Sequence, residues 1–138
     1  MALSVATHLI DTSTLARARS EGLWEDVTGP LLAGRWALCD IVALEILRGT
    51  AAGIYPDLAA GLTAMPQVPV LPQDTARALQ VQALLARKSQ HQGVKVPDLL
   101  VAAVAERSRL TVLCHDHDFD VIAEVTGQPV EWFPPRPS

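Results

Sequence analysis

Five short apolar runs recur along this chain, interleaved with longer stretches of helical spacing, and that alternation restricts the fold more than any other feature. The runs are THLID ending at Asp11, WALCD ending at Asp40, QVPVL near Val70, LTVLC ending at Cys114 and PVEWF near Trp132. The pattern predicts an α/β domain with a largely parallel sheet. After the first strand come STLARARS and EGLWEDVTGPLLAG, with Pro30 expected to break or bend the second helix. DIVALEILRG follows the second strand, with Asp40 as its N-cap and Gly49 as its stop. From Asp74 to about Gln92, Ala78, Val81, Leu84 and Leu85 repeat at helical spacing, and Gly93 closes the stretch. VPDLLVAAVAERS then opens a helix with Pro97 at its first position. That helix is apolar on nearly every face, as helices buried against sheets are.

The 138 residues suit one domain spanning 1–138, with about 134–138 as a frayed tail. Hydrophobic residues at 49% and charged residues at 19% mark a globular chain rather than a disordered one. No apolar run approaches the roughly 18 residues of a membrane span. The start MALSVATHLID has no basic region and meets Asp11 early, which argues against a signal peptide and for a cytoplasmic protein. Cys39 and Cys114 each close an apolar run and read as small buried hydrophobes in a reducing compartment. The net charge of −4 leaves 11 basic residues without a dense block, and aromatics are only 4%. Neither a cationic surface nor a base-stacking platform is advertised. A nucleic-acid function has to rest on a site.

The candidates for such a site are acids. In open α/β sheets, sites form beyond the carboxyl ends of the strands, where Asp11 and Asp116 fall. Asp98 lies in the first turn of a helix and Glu45 inside another. Each has a plain structural reading. Asp11 suits an Asx-turn or a helix cap, and an acid at Asp98 is favoured by the helix dipole by about 0.3–1 kcal/mol. Asp116 or Asp118 suits an N-cap before FDVIAEV, with Asp120 then exposed and structural in the first turn. Glu45 resists such a reading. Ile41, Val42, Leu44, Ile46 and Leu47 surround it, and a buried unpaired carboxylate costs several kcal/mol. A cleft position, a partner or a metal resolves that cost. Four acids gathered together repel unless a proton or a cation intervenes, and hard Mg²⁺ or Mn²⁺ ions prefer oxygen ligands.

At LIDTSTL, ALEILRG, KVPDLLVAAVAE and VLCHDHDFDVIAEVTG the chain resembles the PIN-domain ribonucleases, specifically VapC-type toxins of toxin–antitoxin pairs. The four acidic segments appear in order and the similarity runs essentially to PVEWF. The resemblance implies a three-layer α/β/α fold with a five-stranded parallel sheet whose first strand is central. It implies that Asp11, Glu45, Asp98 and Asp116 hold Mg²⁺, with Mn²⁺ as a substitute, at the carboxyl edge of the strands. Asp118 is a fifth acid in many members and is implied as a supporting ligand. Ser13 is implied to orient a ligand or substrate phosphate. The implied chemistry is in-line attack of a metal-activated water on RNA, leaving 5′-phosphate and 3′-hydroxyl ends. The implied partners are a structured RNA (transfer or ribosomal), a cognate antitoxin and a second copy of the chain. The strands ending at Cys39 and Cys114 would flank the central strand. Two strand spacings of ~4.8 Å then exceed the ~7 Å Cα separation a disulfide tolerates. Many relatives are more basic, which weakens the expected hold on free RNA but not the metal chemistry.

Three other readings compete. Cys114, His115 and His117, with Cys39, offer zinc donors, but Cys-His-x-His in one tight loop lacks the spaced pairs of structural zinc sites. A haloacid-dehalogenase-type phosphatase needs a second Asp where Ser13 stands, and a response-regulator receiver needs one at the tip of the third strand. A catalytically inert binding module would be expected to have lost at least one of the acids.

Overall fold

The computed structural model describes residues 6–136, so residues 1–5 of the expected leaderless start, and Pro137 and Ser138 of the expected frayed tail, lie outside the described residues. Five strands form a single sheet: β1 (His8–Ile10), β2 (Trp36–Cys39), β3 (Gln67–Val68), β4 (Thr111–Cys114) and β5 (Val130–Trp132). Their order is β3-β2-β1-β4-β5 and every pairing is parallel, with His8 opposite both Trp36 and Thr111. The first strand is central, as expected, and β2 and β4 flank it. Cys39 and Cys114 therefore stand on opposite sides of β1, and both thiols are buried and free.

Among the described residues, seven α-helices cover the sheet: α1 (Thr12–Ser20), α2 (Trp24–Leu32), α3 (Asp40–Arg48), α4 (Tyr55–Thr63), α5 (Pro72–Ala86), α6 (Val96–Ser108) and α7 (Asp118–Thr126). The α6 helix packs on β1 and β4 and against α5, burying Leu99 and every residue from Val101 to Ala105. Its apolar sequence has that cause. Leu9, Ile10, Leu38, Val112 and Leu113 in the central strands are fully buried, with Phe119 and Ile122 of α7 closing the core.

The sheet order also fixes where a site can form. From β1 the chain steps outward through β2 to β3, then crosses back to β4 on the other side of β1 and continues to β5. The connections after β1 and β4 therefore diverge, leaving a crevice at their carboxyl ends. The Asp11 N–H donates to the Leu113 carbonyl at 2.9 Å, so the pairing continues into that crevice.

Several local expectations are corrected. The helix expected to reach Gln92 ends at Ala86, because Ser89 takes a left-handed conformation (φ 56°) and the Gln90 N–H closes back on the Leu85 carbonyl at 2.9 Å. This capping arrangement satisfies orphan carbonyls without glycine. Asp40 is the first helical residue of α3 rather than its cap, and Cys39 occupies the cap position without a side-chain bond. Pro30 does not break α2 but sits two residues before its end. In α6, Val96 precedes Pro97 as first residue. The tail expected to fray from residue 134 is held to Arg136: Pro134 is buried, and Arg136 donates to Asp120 at 2.6 Å while lying over the Trp132 ring.

One ion pair inside the helical layer had no sequence signature. Asp74, 1% exposed, accepts from Arg107 Nε at 2.8 Å and Nη2 at 3.1 Å, and it also accepts from the Leu71 N–H at 2.8 Å as an N-terminal cap. Arg107 further donates to the Pro69 carbonyl at 2.6 Å, joining α6 to the turn that begins α5. Removing the guanidinium would leave Asp74 buried and uncompensated. Arg107→Ala is expected to cost about 2–3 kcal/mol in urea unfolding, below the usual range for a buried pair because the arginine is partly exposed. A loss under about 0.5 kcal/mol would show that Asp74 is satisfied by its cap alone.

Candidate functional site

Asp11 combines two of its readings. Its Oδ2 caps α1, accepting from the Ser13 N–H at 3.0 Å and the Ser13 hydroxyl at 2.5 Å, while its Oδ1 is buried with no hydrogen-bond partner. The Ser13 hydroxyl also accepts from the His115 N–H at 2.9 Å. Ser13 thereby ties the end of β1 to the loop after β4 and sets the direction of Asp11. Glu45, on α3, is half-buried rather than enclosed, and its Oε1 accepts from the Thr12 hydroxyl at 2.9 Å. That bond, and its charge acting on Asp11, place Glu45 beside the end of β1.

Asp98, Asp116 and Asp118 form the tightest group, each offering an oxygen within 4.8 Å of the others'. Asp98 is the third residue of α6 and only 3% exposed, and its Oδ2 has no hydrogen bond. Asp116 sits in the loop after β4, where its Oδ1 accepts from the Asp118 N–H at 2.9 Å. Asp118 is the first residue of α7. Lys95, in the N-cap position of α6, reaches all three. Its Nζ lies 2.9 Å from Asp116 Oδ2, 2.9 Å from Asp118 Oδ2 and 3.4 Å from Asp98 Oδ2, the last too long and poorly aimed for a hydrogen bond. Its backbone N–H also donates to Asp118 at 3.1 Å.

The electrostatics follow from this crowding. Burial pushes the Asp98 carboxyl up to about 8, reinforced by its hydrogen bond to Asp118 and by the charge of Asp11, with Lys95 opposing. Burial also raises Asp11; the Ser13 bonds pull it down, and Glu45 and Asp116 push it further up. Asp118 moves the other way, since donation from Asp98 and Lys95 outweighs its own burial. Asp98 and Asp118 thus divide into a proton holder and an acceptor, as coupled carboxyls do. Lys95 is raised because its carboxylate partners outweigh its desolvation.

The Asp98, Asp116 and Asp118 donor set is all oxygen, and two buried carboxylate oxygens in the site, Asp11 Oδ1 and Asp98 Oδ2, accept no hydrogen bond. That combination fits a hard divalent cation. The zinc alternative does not assemble. His115 Nδ1 is engaged with the Pro134 carbonyl at 3.1 Å, His117 is exposed and paired with Asp120, and burial raises the Cys114 and Cys39 thiols to about 12 and about 11. Asp120 is in the first turn of α7 as expected but half-buried, because Trp132 and Arg136 close over it.

A family model described as PIN domain matches residues 4–125. The chain belongs to the PIN-domain family. Two relatives from Mycobacterium tuberculosis resemble this PIN domain over most of its length. Ribonuclease VapC18 is 38% identical across 82% of this chain and 91% of its own, and Ribonuclease VapC51 is 39% identical across 93% of each. The solved structure of DNA-bound VapBC from Salmonella typhimurium shares the fold. Its TM-score is 0.70 at 21% identity, over 92% of this chain and 98% of that one. VapBC-5 from Mycobacterium tuberculosis aligns at 26% identity with a TM-score of 0.59, over 92% and 97% of the two chains.

Of the residues expected from sequence, Asp98, Asp116 and Asp118 lie in one group, and Asp11 is close enough to raise and be raised by its acidic neighbours. Glu45 lies outside that group but acts on Asp11 by charge and is held by Thr12. Thr12 and Lys95 were not anticipated, although Thr12 adjoins Asp11 and Lys95 lies one helical turn before Asp98. Because the folded Asp98 carboxyl titrates far above its unfolded value of about 3.9, its contribution to stability is complete below that value. It is lost as pH rises through about 8. In chelator, the melting temperature of this PIN domain is expected to fall between pH 5 and 9 more steeply than that of Asp98→Asn. Divalent affinity is expected to climb over the same window, since an ion must displace the Asp98 proton. Parallel pH profiles for the two proteins would show that Asp98 titrates normally.

Proposed function

We propose that this chain is a Mg²⁺-dependent endoribonuclease, with Mn²⁺ able to substitute, and the toxin of a toxin–antitoxin pair. The observation that carries this reading is the oxygen-only group of Asp98, Asp116 and Asp118 beyond the ends of β1 and β4, with Asp11 beside it carrying a buried oxygen that accepts no hydrogen bond. It occurs in a chain 38–39% identical to proteins named Ribonuclease VapC. Asp11, Asp98, Asp116 and Asp118 are the residues that would hold the ion, with Glu45 at its edge. When bound, a divalent ion supplies Lewis acidity that favours ionised water and offsets charge gathering on a phosphodiester.

The chain's own contribution is positional. Ser13 fixes Asp11 through both its N–H and its hydroxyl, and Thr12 fixes Glu45. Asp116 accepting from the Asp118 N–H makes the loop present both carboxylates together. In the proposed hydrolysis a water oxygen bonds to phosphorus as the bond to the 3′ oxygen breaks. The departing 3′ oxygen takes a proton, leaving 3′-hydroxyl and 5′-phosphate ends. Ser13 serves this scheme by orienting Asp11, and its remaining capacity toward a substrate phosphate is small because its hydroxyl already donates to Asp11 and accepts from His115.

Structured transfer or ribosomal RNA is the proposed substrate, in the cytoplasm, and residues 1–138 form one functional domain in this reading. No helix among the described residues is long and apolar enough to cross a membrane. A cognate antitoxin and a second copy are the proposed protein partners. Exposed Leu44, Ile54 and Tyr55 around α3 and α4, with Trp24 and Leu32 on α2, support protein contacts of this kind.

The purified chain is expected to cleave a structured RNA in Mg²⁺, stop in EDTA, and recover with Mg²⁺ or Mn²⁺ but not Zn²⁺. Cleavage unaffected by EDTA and by Asp116→Asn would sink the metal-dependent reading. Glu45→Gln is expected to abolish cleavage and to raise the metal-free melting temperature, because one of the repelling charges is gone. Thr12→Val is expected to weaken metal binding by roughly tenfold through loss of Glu45 orientation. A folded, fully active Glu45→Gln protein would remove Glu45 from the site.

A further inference from the structure

The sequence contains two lysines, and the fold puts them in contrasting places. Lys88 forms a surface pair with Glu124 at 3.5 Å. Lys95 extends its ammonium among Asp98, Asp116 and Asp118. Among the described residues, no other basic group pairs with these three acids. We infer that Lys95 is a tethered cation that holds the carboxylates together in the metal-free protein and must leave them when a divalent ion enters, so that metal loading is an exchange of cations. This inference rests on reading the carboxylates as a divalent-metal site.

The geometry carries the argument. Three carboxylate oxygens lie within 4.8 Å of one another, so an ion bound by all three must lie among them. The ammonium already approaches all three groups, at 2.9, 2.9 and 3.4 Å. An ion among those oxygens would lie within a few ångströms of the ammonium and compete with it for the same lone pairs, so the two cations repel and the one held by fewer, longer contacts gives way. The main chain at Lys95 is fixed: its N–H donates to Asp118, and its carbonyl accepts from the Asp98 and Leu99 N–H groups at the start of α6. The side chain is not fixed in the same way, being 61% exposed. Rotation of its four-carbon stem can move the charge into water without disturbing α6. The helix start thus presents a fixed carboxyl group at Asp98 and a removable counter-charge three residues before it.

Such an exchange has two consequences. The carboxylates stay gathered when no ion is present, and the apparent affinity for the ion is lowered by the interactions that the ammonium gives up.

With two lysines, ¹⁵N-lysine NMR separates their ammonium signals. In chelator, Lys95 is expected to give a slowly exchanging, hydrogen-bonded signal that disappears or shifts on saturation with Mg²⁺, while that of Lys88 stays. Calorimetric titration with Mn²⁺ is expected to show Lys95→Met binding about tenfold tighter than the unmodified chain, the combined effect of three weak, partly exposed pairs. Lys88→Met is expected to bind equally, which separates local displacement from a general change in net charge. If Lys95→Met fails to fold in chelator, Lys95→Gln and the NMR arm carry the test. A Lys95 signal unmoved at saturating Mg²⁺ in a chain that binds Mn²⁺, or unchanged Mn²⁺ affinity in Lys95→Met, overturns the exchange and leaves the metal site standing. Mn²⁺ binding by the variant alone supports the exchange in its strongest form. Absence of binding in every protein overturns both the exchange and the metal site.

Discussion

Asp98, Asp116 and Asp118 bring carboxyl oxygens within 4.8 Å of one another, one of them on a group almost wholly removed from water. Their repulsion while all three are charged is relieved by a proton, a cation or both. Both operate here. Burial and acidic neighbours raise the Asp98 carboxyl to about 8, and Lys95 places an ammonium across the three acids. Asp11 Oδ1, buried without a hydrogen-bond partner, shows that this compensation is incomplete. Such a feature is a local cost to the folded state, of the kind the proposed metal site would account for.

The sheet makes this crowding possible. Parallel order with β1 in the middle sends the connections after β1 and β4 apart, and short polar links then bind the two edges of the opening. The Ser13 hydroxyl joins Asp11 to the His115 N–H, and the Asp116 carboxylate folds the loop back onto the Asp118 N–H. These contacts belong to loop and helix-start residues carried on buried strands. Leu9, Ile10, Val112 and Leu113 beneath them are fully enclosed, so the positions of the acids are inherited from the core.

An overall charge of −4 sets the terms on which the proposed RNA substrate would approach. Long-range attraction is not available to a chain of this sign, so binding depends on local cations and on an ion in the crevice. The proposed displacement of Lys95 fits that requirement, because it keeps a free ammonium beside the site at the moment the acids acquire another counter-charge.

By itself, the sequence determined the alternation of strands and helices, the buried character of α6, and the positions of Asp11, Asp98 and Asp116 at strand ends or a helix start. These follow from periodicity and capping, which act over a few residues. The central place of β1 was legible only through resemblance to a known family. Tertiary structure decided which distant side chains meet. Ser13 with His115, Thr12 with Glu45, Arg107 with Asp74, and Lys95 with Asp116 and Asp118 all involve separations of 21 residues or more. Local pattern says that a residue faces the crevice or the core but does not name what it faces. It also missed the end of α5, where Ser89 adopts a conformation usually left to glycine. Asp74 and Asp98 make the difference plain: both are acids in the first turn of a helix, alike to any local rule. One is buried against an arginine that neutralises it, and the other is buried among further acids, where its charge becomes a problem that only a proton or a cation resolves.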